Sequence, residues 1–181
     1  VYKRQGLANT GTPRTESTLG ELVMSYSKTP LNFEPGSKWS YSNAGINTLG
    51  RIVEVVSKIP FADFLQQRVL DPCDMKNTTF WPSKKQAKRI AKSYSPDQKG
   101  ELQQVEVRFL AGGISNRKRT PYPAGGLYST AGDVTRFYQM MLSGGTFNDK
   151  RVLKKKTVEL MTQTQTGDIR TGFVDGMSWG R

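Results

Sequence analysis

The sequence predicts an α+β chain in which helices dominate. Three observations predict it. Apolar residues recur at helical spacing in stretches beginning near residues 19, 46 and 134, and clusters of Gly, Pro, Ser and Thr separate those stretches. Strand-like runs are short and confined to the region of 102–109 and the last ten residues. A chain of 181 residues buries roughly two thirds of its unfolded surface around one core, so a single domain is expected. The apolar fraction of 35% rises to about 45% with the 18 Gly, and aromatics reach 10%, which marks a globular rather than a disordered composition.

The first five residues, Val1-Tyr2-Lys3-Arg4-Gln5, read as an adaptor-derived scar that carries no fold information. From Gly6 to Ser40 the pattern is loop-like, with one periodic stretch, Leu19, Leu22, Val23 and Tyr26, that predicts two turns of helix. Pro35-Gly36 then signals a turn that delivers the chain to Trp39-Ser40-Tyr41-Ser42-Asn43. A helix is predicted next, with Asn43 as its N-cap, because Ile46, Leu49, Val53 and Val56 fall on one face. A second helix opens at Pro60, where the missing N–H costs nothing, and is expected to bury Phe61, Phe64, Leu65 and Val69 before Asp71-Pro72 ends it. Together they predict a helical hairpin.

Residues 78–120 predict long irregular excursions, with Leu102, Val105, Val107 and Phe109 strand-like among basic and polar neighbours. Thr130-Ala131-Gly132-Asp133 has the capping-box form, with Asp in place of Glu. The stripe Val134, Phe137, Tyr138, Met141 and Leu142 follows, closed by Gly144-Gly145, and a shorter helix is expected near Leu153 to Met161. The run from Gly172 to Arg181 reads as a turn leading into a strand that stops without a partner.

Composition excludes several chemistries. With no His, the chain cannot by itself hold a Ser-His-Asp or Cys-His triad or a His-based zinc site, so any base must be Lys, Tyr or a carboxylate. The lone Cys73 cannot form an internal disulfide and is predicted to be a structural thiol. No apolar run approaches the roughly 18 residues of a membrane span. The net charge of +12 is spread over Lys84-Lys85, Lys88-Arg89-Lys92, Arg117-Lys118-Arg119 and Lys154-Lys155-Lys156. These clusters accompany no nucleic-acid motif, so solvated surface faces are expected rather than nucleic-acid binding. Gly112-Gly113 and Gly125-Gly126 fit neither phosphate-loop pattern and are predicted to be backbone turns. Trp39, Trp81 and Trp179 are isolated and are predicted to pack rather than to stack on a ligand. No cofactor is expected.

The most informative stretch is Pro35 to Asn43, which puts the Tyr41 phenol and the Asn43 carboxamide two residues apart at a loop-to-helix junction. Alone, the pair is better explained by a packed tyrosine beside an asparagine cap; its context reverses that. The order of Pro-Gly, Tyr-Ser-Asn, an amphipathic helix, a second helix with Phe61-Ala62-Asp63-Phe64-Leu65, and Leu70-Asp71-Pro72-Cys73-Asp74-Met75-Lys76-Asn77-Thr78 resembles the serine beta-lactamase and penicillin-binding-protein superfamily. The likeness is to its class C beta-lactamase, D,D-carboxypeptidase and esterase branch. It continues through Pro123-Ala124-Gly125-Gly126-Leu127-Tyr128-Ser129-Thr130 and the helix carrying Asp133.

The resemblance implies a beta-lactamase/transpeptidase-like α+β fold, a helical subdomain joined to an antiparallel sheet. Residues 6–170 would be mostly the helical part, and residues 171–181 the truncated start of the sheet. It also implies a serine hydrolase with three motifs: Ser-x-x-Lys for nucleophile and amine, Tyr-x-Asn for phenol and amide, and Lys or His, one residue, then Gly on a strand. Only the second is present, as Tyr41 and Asn43. No Ser-x-x-Lys stands well upstream of Tyr41; Ser25 to Lys28 has the spacing but lies too near it, and Gly6-Leu7 would be a remnant of a Ser-Gly-Leu between the first two motifs.

Ionising a free phenol at neutral pH costs about 4 kcal/mol, which neighbouring ammonium groups in a dry cleft can largely offset. Tyr41 would then take the serine proton, alone or relayed by lysine, while Asn43 positions the substrate carbonyl or the lysine. An acyl-enzyme would follow, formed on a small-molecule or peptide substrate with an amide, beta-lactam or ester bond. A periplasmic or extracellular location goes with the resemblance. The isolated chain is expected to be inactive and poorly stable. Two alternatives stay open from the residues: a catalytically inactive relative kept for binding, and a basic nucleic-acid or anionic-surface binder.

Overall fold

The first helix, α1 (Leu19–Tyr26), starts at Thr18 with a complete capping box. Glu21 N donates to Thr18 Oγ1 at 3.1 Å, and Thr18 N donates to a Glu21 carboxylate oxygen at 2.8 Å. The structure is a computed structural model that describes residues 5–8, 17–105, 113–114, 116–169, 173–174 and 177–178. Residues 1–4 of the expected scar, Val107, Phe109, Gly112, Trp179 and most of 170–181 lie outside the described residues. The predicted α1 stripe is inward, with Leu19, Leu22 and Tyr26 buried.

The second helix, α2 (Asn43–Ser57), is capped one residue earlier than predicted. Ser42, in extended conformation, accepts Gly45 N at 2.9 Å through its hydroxyl, which makes Asn43 the first helical residue rather than the cap. Its buried face also differs. Ala44, Gly45, Asn47 and Gly50 are buried, Ile46 and Val53 are half-buried, and Leu49, Ile52, Val55 and Val56 are exposed. Side-chain volume explains this, because α1 and a later turn press so closely on α2 that only small residues fit. A Cβ on Gly50 would stand 2.1 Å from Pro123 Cγ. Leu22, Tyr26 and Ala44 form the core of this contact, with Leu7, Val23 and Tyr122 packed around it.

Lys58, at φ 61°, turns the chain out of α2, and α3 (Phe61–Leu65) packs back on it, as the predicted hairpin requires. Glu54 accepts Phe61 N at 3.0 Å and Arg51 Nη1 at 2.9 Å, which ties the two helices together. Pro60 is the cap residue, and α3 continues into a π-helical turn, Gln66–Leu70. Phe61, Phe64, Leu65 and Val69 are half-buried; Leu70 is the buried one. It joins Cys73, Met75 and Met140 in a second core, with Leu65, Phe137, Met141, Phe147, Val152 and Leu153 around it. Cys73 is fully buried and free, so burial pushes its thiol pKa up.

Beyond this core the chain runs through α4 (Lys84–Ala87) and an exposed antiparallel hairpin of β1 (Ser93–Pro96) and β2 (Leu102–Val105), paired Ser93 to Val105. Next come α5 (Ala131–Leu142), the short hairpin of β3 (Thr146–Phe147) and β4 (Lys150–Arg151), α6 (Lys155–Met161), and the antiparallel pair β5 (Phe173–Val174) and β6 (Met177–Ser178). Gly144 and Gly145 close α5 as predicted. Gly145 has φ 94°, and a Cβ there would stand 2.2 Å from Leu153 O.

The α5 stripe is only partly inward. Met140 is buried, Phe137 and Met141 are half-buried, and Val134, Tyr138 and Leu142 are exposed. Thr130 caps the helix through Asp133 N at 3.3 Å, but the Asp133 carboxylate does not return to the cap. It is buried and accepts Asn77 N at 2.7 Å, Thr78 Oγ1 at 2.8 Å and Arg136 Nη1 at 3.0 Å. A single acid thus fastens the 75–80 loop to α5. Among the described residues, no helix is long and apolar enough to cross a membrane.

Replacing Asp133 with Ala strands Asn77 N–H and the Arg136 guanidinium. Asp133→Ala is expected to lower stability by about 3 kcal/mol, read as a fall in the urea midpoint at unchanged m-value. A loss below about 0.5 kcal/mol would show that the buried carboxylate is dispensable.

Candidate active site

Tyr41, Ser42 and Asn43 sit where an extended segment enters α2. A turn with Gly36 at φ 89° precedes them, closed by Ser37 Oγ donating to Glu34 O at 2.7 Å, and the Lys38 ammonium lies 5.1 Å from the centre of the Phe33 ring. Ser42 is buried; its hydroxyl caps the helix and also reaches Leu7 O at 3.3 Å. On either side of it Tyr41 and Asn43 are exposed, Tyr41 by 39%. The phenol ring is therefore not sealed in hydrocarbon packing.

One turn further along α2, Asn47 is 99% buried, with a relative exposure of 1%. Its Nδ2 donates to Tyr26 Oη at 3.1 Å, and its Oδ1 accepts Ala124 N at 3.0 Å. The 120–126 segment is thereby strapped across α1 and α2. Thr120 Oγ1 and Tyr122 Oη both donate to Ser17 O, at 2.7 and 3.0 Å, and Pro123 rests on Gly50. Burial raises the Tyr26 pKa, which the Asn47 hydrogen bond partly opposes, and burial likewise raises that of Tyr122. Gly125 and Gly126 are backbone turns, as predicted, with Tyr122 bridged to Gly125 and Gly126 at φ 93°.

Arg119 is buried behind the same strap. Its guanidinium donates to Phe80 O and Gly126 O, while Trp81 Nε1 donates to Arg119 O at 2.9 Å and the Trp81 ring packs edge-on against Phe80. Arg119 Nε and Tyr128 Oη are buried without hydrogen-bond partners, and burial lowers the guanidinium pKa and raises that of the Tyr128 phenol. Sequence reasoning put Arg119 in a solvated cluster; the structure places it inside.

Of the other catalytic spacings, Ser25 and Lys28 lie at the end of α1, beside an open depression of about 620 Å³ lined by Glu21, Met24 and Arg51 among others. Ser25 Oγ donates to Leu22 O of its own helix at 2.6 Å, the ordinary local bond of a helical serine. Sequence alone does not single out Asn47, and it marks Asp133 only as the capping-box acid of α5. Asn47 is one of several polar residues in α2, so nothing in the sequence sets it apart.

The chain has the beta-lactamase/transpeptidase-like fold, with Tyr41 and Asn43 exposed on either side of the buried Ser42 at the entry to α2. The chain belongs to the Beta-lactamase family, which it matches over residues 4–181, a family of serine hydrolases. It is 33% identical over 157 residues to Protein Rv1367c of Mycobacterium tuberculosis (strain ATCC 25618 / H37Rv), covering 83% of this chain and 37% of that protein. It is 27% identical over 172 residues to an Escherichia coli (strain K12) protein provisionally named D-alanyl-D-alanine carboxypeptidase, covering 85% of this chain and 38% of that protein. Among solved structures it superposes on EstCE1, a hydrolase with promiscuous acyltransferase activity, at a TM-score of 0.69 and 24% identity, covering 84% of this chain and 42% of that one. The chain thus spans well under half the length of the relatives it matches.

Tyr26 and Cys73 are neutral when protonated, and folding raises both pKa values above their ordinary 10.0 and 9.0. The stability they contribute is complete at neutral pH and is lost as pH rises through the folded-state values. The thermal midpoint is expected to fall progressively above about pH 9, and Tyr26→Phe to flatten that fall. A midpoint that stays level to pH 11 would contradict the burial of these groups.

Proposed function

We propose that this chain supplies the Tyr-x-Asn element of a serine hydrolase that works through an acyl-enzyme on amide, beta-lactam or ester bonds. The observation that carries the reading is Tyr41, exposed at the entry to α2 while the intervening Ser42 turns inward to cap the helix. Family membership and the name of the Escherichia coli relative support it. The nucleophilic serine, its lysine and the third motif belong, on this reading, to the intact polypeptide outside these residues, with 6–170 as the helical subdomain and 171–181 as the beginning of the sheet. The short share of each relative that the chain covers supports this division.

In the intact enzyme, Tyr41 accepts the proton of the attacking serine and returns it to the leaving group, so that one phenol serves as base and then as acid. A lysine ammonium nearby makes this feasible at neutral pH by favouring the phenolate. Asn43 offers both a donor and an acceptor, which suits it to hold the substrate carbonyl or the lysine in line. Water then hydrolyses the acyl-enzyme. The exposed apolar residues of α2, Leu49, Ile52, Val55 and Val56, give the remainder of the domain a surface to pack on.

The purified 181-residue chain is expected to take up neither a fluorophosphonate nor a fluorescent penicillin; labelling at a defined serine would refute the division. In the intact polypeptide, Tyr41→Phe is expected to lower kcat for p-nitrophenyl acetate about 10²- to 10⁴-fold without shifting the thermal midpoint. Unimpaired turnover by that variant would remove Tyr41 from the chemistry.

A further inference from the structure

We infer that Asn47 is a positioning residue for the site at Tyr41 and Asn43, holding the 122–126 strap at one fixed place beside Asn43; this rests on the reading of that site given above. Residues 43, 47 and 50 follow one another at four and three positions, so they share one face of α2, with about 5–6 Å between neighbouring Cβ atoms. The strap engages this face twice. Ala124 N donates to Asn47 Oδ1 at 3.0 Å, and Pro123 sits against Gly50 so closely that a Cβ there would stand 2.1 Å from its ring. Asn43, the next position along the same row, is exposed. The strap is therefore held one turn along this face from Asn43, beside the place where a group held by Asn43 would rest.

Asn47 sets where that edge lies because its amide is restrained from the other side as well. Its Nδ2 donates to Tyr26 Oη of α1 at 3.1 Å, and Tyr26 is itself buried, so the carboxamide has one orientation in which both bonds are made. A smaller polar residue leaves Ala124 N–H without its acceptor in a half-buried site and lets the strap take up several positions. The substrate then loses a wall while Tyr41 and Asn43, on the unaltered helix entry, stay in place. Loss of that kind weakens binding more than it slows the chemical step.

The test uses the intact polypeptide and p-nitrophenyl acetate and octanoate. Asn47→Ser is expected to raise KM about tenfold, with kcat changed less than about threefold and the preference between the two esters reduced. Asn47→Asp, whose carboxylate accepts from both Ala124 N–H and Tyr26 O–H, is expected to stay within about threefold of the parent on every constant. Should Asn47→Ser fail to fold, Tyr26→Phe, which removes one restraint at nearly constant volume, is expected to raise KM in the same direction. An Asn47→Ser enzyme with parental constants and only a lower thermal midpoint overturns the inference, as does one kinetically equal to Asn47→Asp; if Asn47→Ser does not fold, an unaltered KM in Tyr26→Phe does the same. Tyr41→Phe in parallel separates the two readings. Full activity there defeats the assignment of the site, whereas an impaired Tyr41→Phe beside a parental Asn47→Ser defeats only the role of Asn47.

Discussion

The close approach of α1 and the 120–126 strap to one face of α2 is the constraint on which the rest of the architecture depends. Ala44, Gly45 and Gly50 make that face shallow enough for two other segments to reach the helix backbone. The largest fully buried side chain on it, Asn47, is polar, and both ends of its amide are bonded, one to each segment. A buried carboxamide left half-bonded would cost about 1–3 kcal/mol, so this contact has one satisfactory geometry, whereas a purely apolar seam would tolerate several. The entry to α2, with Tyr41 and Asn43, inherits its orientation from this packing.

A second polar anchor governs the other core. Asp133 draws the 75–80 loop onto α5 with three hydrogen bonds, and the Thr79 to Tyr128 bridge then lays that loop beside the Gly-Gly turn. Arg119 crosses the same junction from the inside, bonded to carbonyls on both sides of the bridge. Buried polar groups thus fix this junction alongside the apolar packing of Phe80 on Phe61 and Trp81. The remaining cations account for a strongly basic chain whose described ion pairs are few and of short sequence range. Charges so placed act on solubility and on encounter with anionic surfaces more than on the fold.

Several elements were legible because local chemistry alone decides them. The stripe of Leu19, Leu22, Val23 and Tyr26 marks α1, Pro60 opens α3, and Gly144-Gly145 ends α5, each through spacing or backbone angles within a few residues. The junction at Tyr41 to Asn43 was legible for the same reason, although the cap fell to Ser42, whose short hydroxyl reaches Gly45 N from an extended backbone. Burial was read less well. Leu49 and Val56 fit a helical stripe yet are exposed, while Asn47, Asp133 and Arg119, polar by type, are inside.

By itself the sequence determined roughly where the longer helices lie, that no imidazole chemistry is available, and that a phenol and a carboxamide flank a helix entry. These follow from residue identity and from contacts a few positions apart. Only the tertiary structure decided which face of α2 is buried, that Asn47 joins α1 to the strap, and that Asp133 and Arg119 are interior. Those outcomes depend on partners 21 to 77 positions away along the chain, and spacing within a helix carries no record of what will be packed against it.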